Sequence, residues 1–155
     1  MPITTTRPEL FAGNTFTWHV ETDDAAIAEV VARRGGEPAL HVHDREDETY
    51  VVLEGDVLFQ RGDDRIAAGA GDVVFLPRGV QHGFALQSDV ARLLVICTPG
   101  GLGAPFHALS EPDDGEVPVA MAAPSPEAIN AMEVAFGAYG VSFTGPPLPV
   151  LLATS

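Results

Sequence analysis

Between residues 15 and 98 the chain is cut every few residues by Gly, Asp or Pro into short apolar or alternating segments. This punctuation constrains the fold more than any other feature. Segments so short and so closely spaced bury a face most readily as strands of an antiparallel sandwich or small barrel. The pattern predicts strands at 15–20, 27–33, 39–43, 49–53, 57–61, 73–76, 82–86 and 91–97, and needs no helix among them. Glu54-Gly55-Asp56 and Arg61-Gly62-Asp63-Asp64 read as hairpin turns, with glycine supplying positive φ and aspartate bonding locally to the backbone.

Beyond Pro99 the character changes. Gly100, Gly101 and Gly103 lead into a short lid helix over 104–109, followed by an acidic, proline-bearing loop over 111–118 that reads as a mobile connection. A helix is predicted over 126–138, with Ser125 as N-cap, Pro126 at the first helical position and Glu127 in the first turn. Its apolar stripe is Ile129, Met132, Val134, Ala135, Phe136 and Tyr139. The tail Gly145-Pro146-Pro147-Leu148-Pro149 suits neither helix nor central strand and is expected to lie extended across the surface. At 155 residues the chain is expected to form a single domain, 1–155, with a barrel core at 15–98 and the lid, helix and Pro-rich tail at 99–155.

Composition narrows the partners. Eight basic residues, all Arg, stand against 22 acidic ones, a formal charge of −14 that repels phosphate backbones and anionic membrane surfaces. Nucleic acid and membrane are therefore excluded as expected partners. Cys97, the only cysteine, permits no internal disulfide, and its neighbours Leu94, Val95 and Ile96 predict a buried, inert thiol. The opening residues lack the layout of a secretory signal, so a cytoplasmic location is expected.

Three of the five histidines fall within two linked patterns: Gly35-x5-His41-x-His43-x4-Glu48-x6-Gly55, then Gly71-x5-Pro77-x-Gly79-x2-His82. Residues two apart on a strand share a face, so His41 and His43 reach one point in space. Adding a carboxylate from beyond the next turn and an imidazole from a later strand gives a first shell for one divalent metal ion, whether Fe, Ni, Mn, Co, Cu or Zn. Asp47 is the rival carboxylate. Strand parity favours Glu48, which shares a face with Tyr50 and Val52.

Together these patterns resemble the two motifs of the cupin superfamily, with Leu86 departing where many cupins carry asparagine. The resemblance implies an all-β fold, a single cupin barrel of the double-stranded β-helix or jelly-roll type, here with a short C-terminal helical extension. The stretches 43–55, 76–82, 98–101 and 139–149 are similar to the small cupins grouped with quercetinase, a flavonol dioxygenase. The resemblance is interrupted after Gly101, where Leu102-Gly103-Ala104-Pro105 replaces the usual aromatic-rich helix start. It implies His41, His43, Glu48 and His82 as metal ligands, Glu48 also as the catalytic base that takes the substrate's hydroxyl proton, a small aromatic or enolic substrate, O2 as co-substrate, and a homodimer.

Residues in phase with the ligands, Tyr50, Val52, Phe84 and Leu86, with Phe59 and Phe75 from neighbouring strands, are expected to line an apolar substrate pocket. His19, His107, the acidic run Asp44, Glu46 and Asp47, and the pair Asp113-Asp114 read as packing or solvated surface, and Arg78 as a loop-holding partner of an acid. Three functions share these residues: an oxygenase opening a flavonol or related enol; a non-redox metal enzyme such as a polyketide cyclase or isomerase; and a non-catalytic small-molecule-binding or sensor barrel.

Overall fold

The computed structural model describes residues 6–116 and 123–155. The elements, in chain order, are β1 (Glu9–Phe11), β2 (Asn14–Glu21), β3 (Ala26–Arg33), β4 (Ala39–His43), β5 (Asp47–Glu54), β6 (Val57–Arg61), β7 (Asp64–Ala68), β8 (Val73–Leu76), β9 (His82–Leu86), β10 (Val90–Thr98), α1 (Gly103–Leu109), β11 (Glu111–Pro112), α2 (Pro126–Gly137), β12 (Val141–Pro147) and α3 (Leu148–Ala153). Two antiparallel sheets face each other, in the orders β11-β1-β2-β3-β10-β5-β8 and β12-β4-β9-β6-β7. Their inner faces enclose the core, an all-β jelly-roll arrangement with few helices.

Alternation decides which residues face inward. Along β10, Ala91, Leu93, Val95 and Cys97 are buried, and they meet Ala26, Ala28, Val30 and Ala32 of β3 on one side and Glu48, Tyr50 and Val52 of β5 on the other.

The Glu54-Gly55-Asp56 turn is not a hairpin. β5 pairs with β10 and β8, whereas β6 pairs with β7 and β9, so the turn carries the chain from one sheet to the other. Gly55 makes this corner possible: its φ is +92°, and a Cβ there would lie 2.8 Å from the Val90 carbonyl oxygen. Gly62 and Asp63 do close a two-residue hairpin, with Arg61 opposite Asp64.

The C-terminal region also differs from the sequence expectation. Val141–Pro147 adds β12 to the second sheet beside β4, and the chain continues as α3 against β9, with Leu148 fully buried. Proline is tolerated in both places for local reasons. β12 is an edge strand, where a missing N–H breaks no ladder, and Pro149 falls in the first turn of α3, where N–H groups have no helical partner.

α2 begins at Ser125, whose side chain accepts from the Ala128 N–H at 3.1 Å. Only Met132, Ala135, Phe136 and Tyr139 of its expected stripe turn toward the protein; Ile129 and Val134 are exposed. Val134 lies half a turn away from that face. The acidic loop starts pinned rather than free: β11 pairs with β1, and Asp113 accepts from the Thr15 hydroxyl at 2.6 Å. Residues 117 and 118 of that loop, like the first five residues of the chain, lie outside the described residues. No helix among the described residues is long and apolar enough to cross a membrane.

Candidate metal centre

β4 and β9 run antiparallel with His41 directly opposite His82, and β4's alternation puts His43 on the same inner face. β5 supplies Glu48 from the facing sheet, where Cys97 and Leu76 are its lateral neighbours. The four side chains are all buried, and one ligand atom from each falls within 4.8 Å of the others. The His41 and His82 rings are 4.4 Å apart, and those of His43 and His82 lie 5.2 Å apart and nearly parallel.

Each imidazole is held from behind. His41 Nδ1 donates to the Ala39 carbonyl at 2.7 Å, His82 Nδ1 to the Val80 carbonyl at 3.2 Å, and His43 Nδ1 faces the Glu46 carboxylate at 3.4 Å. Because each of these partners is an acceptor, the Nδ1 atoms carry the hydrogens, and a neutral ring then offers its Nε2 lone pair. Glu48 Oε2 lies 2.8 Å from His82 Nε2 and 3.2 Å from His43 Nε2, and the latter nitrogen is buried without a hydrogen bond. Acceptors so close require a shared cation. Three imidazole nitrogens and one carboxylate around such a point form a donor set that fits a divalent transition metal.

Without a metal the requirement falls on a proton. Burial works against a charged His43, yet Glu48 and Glu46 overcome it and push its pKa up to about 10. Burial, reinforced by His82 and His43, instead drives His41 down to about 3, so this ring stays neutral. Burial would raise the Glu48 pKa, but His43 and His82 hold it well below the usual carboxylate range. The pocket therefore contains a carboxylate, a neutral imidazole and one imidazole that keeps a proton until a metal displaces it.

Two neighbours of the site were not anticipated as such. Glu46, expected in a solvated turn, is only 3% exposed and turns inward onto His43. Its signal in the sequence is faint: a carboxylate three residues after a strand-terminal histidine, inside a tight turn. Cys97 is buried as expected, but its thiol also lies 3.6 Å from Glu48 Oε1, as β10 sets it directly opposite Glu48. Burial first, then Glu48, pushes the thiol pKa well above its ordinary value, so it remains a hydrogen-bond donor. At the rim, Arg78 grips Asp47 through its backbone N–H and guanidinium, with bonds of 2.9 to 3.2 Å. Asp47 is thereby committed outside the centre. Gly79, with φ +78°, donates its N–H to the His43 carbonyl at 2.8 Å and ties the second motif's loop to the ligand strand.

His41, His43 and Glu48 open onto a cavity of about 130 Å3 between the sheets. Of the expected pocket residues, Tyr50 and Phe84 line it, while Val52 and Phe59 are fully buried in the packing beside it and take no part in the lining. Phe75 must be corrected. It is 49% exposed on the outer face of edge strand β8, because Val74 and Leu76 take the inward parity. Residues from outside the motifs supply the rest of the wall: Phe11, Phe16 and Trp18 from β1 and β2, Phe106 from α1, Phe136 from α2 and Phe143 from β12. Sequence spacing gave no sign of this convergence. His19 lies 3.7 Å from Glu29, away from the ligands, and His107 bridges Glu9 and Glu21 at 2.6 Å each.

A jelly roll carrying three imidazoles and a carboxylate on facing strands defines a class of small β-barrel with a candidate metal site. The chain belongs to the cupin family: the family described as "Cupin domain" matches residues 28–107. Quercetin 2,3-dioxygenase of Bacillus subtilis (strain 168) is 26% identical over 77 residues, which is 50% of this chain and 23% of that protein. The chain thus matches about a quarter of that relative's length. Among solved structures, an RmlC-like cupin from Shewanella frigidimarina NCIMB 400 aligns with a TM-score of 0.56 and 21% identity, covering 63% of this chain and 86% of that one. Streptomyces Pac13, a nucleoside dehydratase, aligns with a TM-score of 0.57 and 16% identity, covering 73% and 90%. KdgF from Halomonas sp. gives 0.56 and 20%, covering 59% and 84%. At these identities the structures share the fold.

Proposed function

We propose that this protein is a metal-dependent oxygenase of the quercetinase-like type, acting on an enolic substrate with O2. The observation that carries this reading is the set of three imidazoles, each held at Nδ1, whose Nε2 atoms converge with the Glu48 carboxylate at the end of an apolar cavity. His41, His43, Glu48 and His82 would hold a divalent ion, which would supply Lewis acidity toward an enolic substrate.

Glu48 acts as the base. Oε2 takes the enol's hydroxyl proton while the Cys97 thiol donates to Oε1. The apolar walls exclude water from the resulting enolate. Addition of O2 across the enol C=C breaks that bond, leaves one oxygen atom on each carbon, and yields a carbonyl and a carboxylic acid. The acid retains the proton lent to Glu48, so no external reductant is needed.

The test is metal analysis of the purified protein, followed by oxygen uptake with enolic substrates. Uptake equal to substrate loss is expected, and Glu48→Gln should abolish it; wild-type turnover by a metal-loaded Glu48→Gln protein would overturn the assignment. One observation favours a second, non-redox reading. Tyr50 lines the cavity, and burial, with Glu48 and Cys97, pushes its phenol well above the ordinary pKa. A neutral acid close to a carboxylate base suits an isomerase or dehydratase, for which turnover would continue without oxygen. The likeness to quercetin 2,3-dioxygenase supports a small-molecule substrate under either reading, and a homodimer is part of the proposal.

A further inference from the structure

Resting on the reading of this centre as a metal-dependent enzyme, we infer that its substrate is a single-ring or smaller, uncharged enol or hydroxy-ketone, and that three-ring flavonols are excluded by an aromatic plug centred on Phe106. Size is the first argument. The cavity holds about 130 Å3. An apolar cavity of about 150 Å3 accommodates a benzene molecule, whereas drug-sized ligands occupy pockets of at least about 300 Å3. The space beside the ligands therefore takes one ring, and it is bordered at Ala12, Gly36, Glu37 and Phe143 by a separate surface pocket of about 770 Å3.

The second argument is what closes that space. Phe106 projects from α1 into a cluster of four other rings: Phe16 at 4.7 Å, Phe136 at 4.9 Å, Phe11 at 5.3 Å and Trp18 at 5.6 Å between centroids. These rings belong to β1, β2, α1 and α2, so four separate elements meet in the cavity wall. α1 is also fastened. His107, the residue after Phe106, bridges Glu9 of β1 and Glu21 of β2 with two 2.6 Å contacts. On the α1 side, enlarging the cavity means either removing Phe106 or breaking both contacts.

The third argument is polarity. No Arg lines the cavity, and the chain contains no Lys. Two polar side chains on its wall are already engaged: Asn14 donates to the Gly36 carbonyl and accepts from the Arg33 N–H, and Glu37 accepts from the Gly35 and Leu86 N–H groups. A carboxylate or phosphate on the body of the substrate would be desolvated with no counter-charge. Recognition thus falls on one metal-binding oxygen pair and an apolar ring.

The matched probes are maltol and 3-hydroxyflavone, which carry the same hydroxy-pyranone chelating group on one ring and on three. Each is titrated into Co(II)-loaded protein, followed by the visible spectrum, with protein-bound cobalt measured after gel filtration to exclude stripping. Maltol is expected to bind at least tenfold more tightly. In Phe106→Ala, and in Phe106→Leu should the alanine variant fail to fold, the affinity ratio should shift toward 3-hydroxyflavone by a similar factor. Equal or tighter binding of 3-hydroxyflavone by the wild type would overturn the inference, as would failure of both probes to bind cobalt-loaded protein. Selective maltol binding without oxygen uptake on any one-ring enol would sink the oxygenase reading and leave the size limit standing.

Discussion

Glu46 offers a direct test of how the centre is built. Its carboxylate stands 3.4 Å from His43 Nδ1, and both side chains are buried. Replacement by alanine leaves a buried N–H without an acceptor, at a cost of about 1–3 kcal/mol to the folded state, and frees the ring to rotate or exchange tautomers. Loss of such a partner behind a metal-binding histidine typically weakens metal binding by about 10- to 100-fold. The 3.4 Å separation is near the long limit for a hydrogen bond, so Glu46→Ala should fall near the tenfold end. Glu46→Gln keeps an acceptor and should lose less. The assay is competition for zinc against a chelator of known affinity, followed by thermal melting of each metal-free protein. Neutral and alkaline buffers are both needed, because Glu46 also favours the proton that keeps His43 charged up to about pH 10. Zinc affinity in Glu46→Ala within twofold of wild type, or a glutamine variant as damaged as the alanine one, would refute this role for Glu46.

Other outcomes follow from the same geometry. His41 has a folded-state pKa of about 3 against an ordinary 6.5, so the unfolded chain binds its proton first as pH falls. The His41 contribution to the stability of the metal-free protein should thus be present above about pH 6.5 and be lost toward pH 3, read as a falling denaturation midpoint between those values; an unchanged midpoint across that window would contradict the burial argument. Leu148→Ala should destabilise by about 2–5 kcal/mol in urea titration, since the side chain is fully buried where α3 meets the sheet. A neutral effect would mean that the tail is not docked. Cys97 should resist alkylation by iodoacetamide in the native protein and react on unfolding, and modification at a free thiol's rate would contradict its burial.

What the chain determined by itself was local and periodic. Strands at 39–43, 57–61, 73–76 and 82–86 match the observed limits, because apolar alternation and turn residues act within a few positions. The same parity separates Glu48, facing inward with Tyr50, from Asp47, which pairs with Arg78. The two motifs were enough to place a candidate ligand on each of the strands that converge.

Only the tertiary structure decided which faces were covered and what closed the site. Phe75 alternates as regularly as Phe84, but β8 lies at a sheet edge with Phe75 outside, whereas β9 is covered on both faces. The Gly55 turn joins two sheets, Glu46 folds back onto His43, and the Pro-rich tail becomes an edge strand and a docked helix. The rings around Phe106 come from segments as far apart as β1 and α2. Strand periodicity is written within a few residues, whereas the packing of distant segments depends on the whole chain's contacts and leaves no spacing to read.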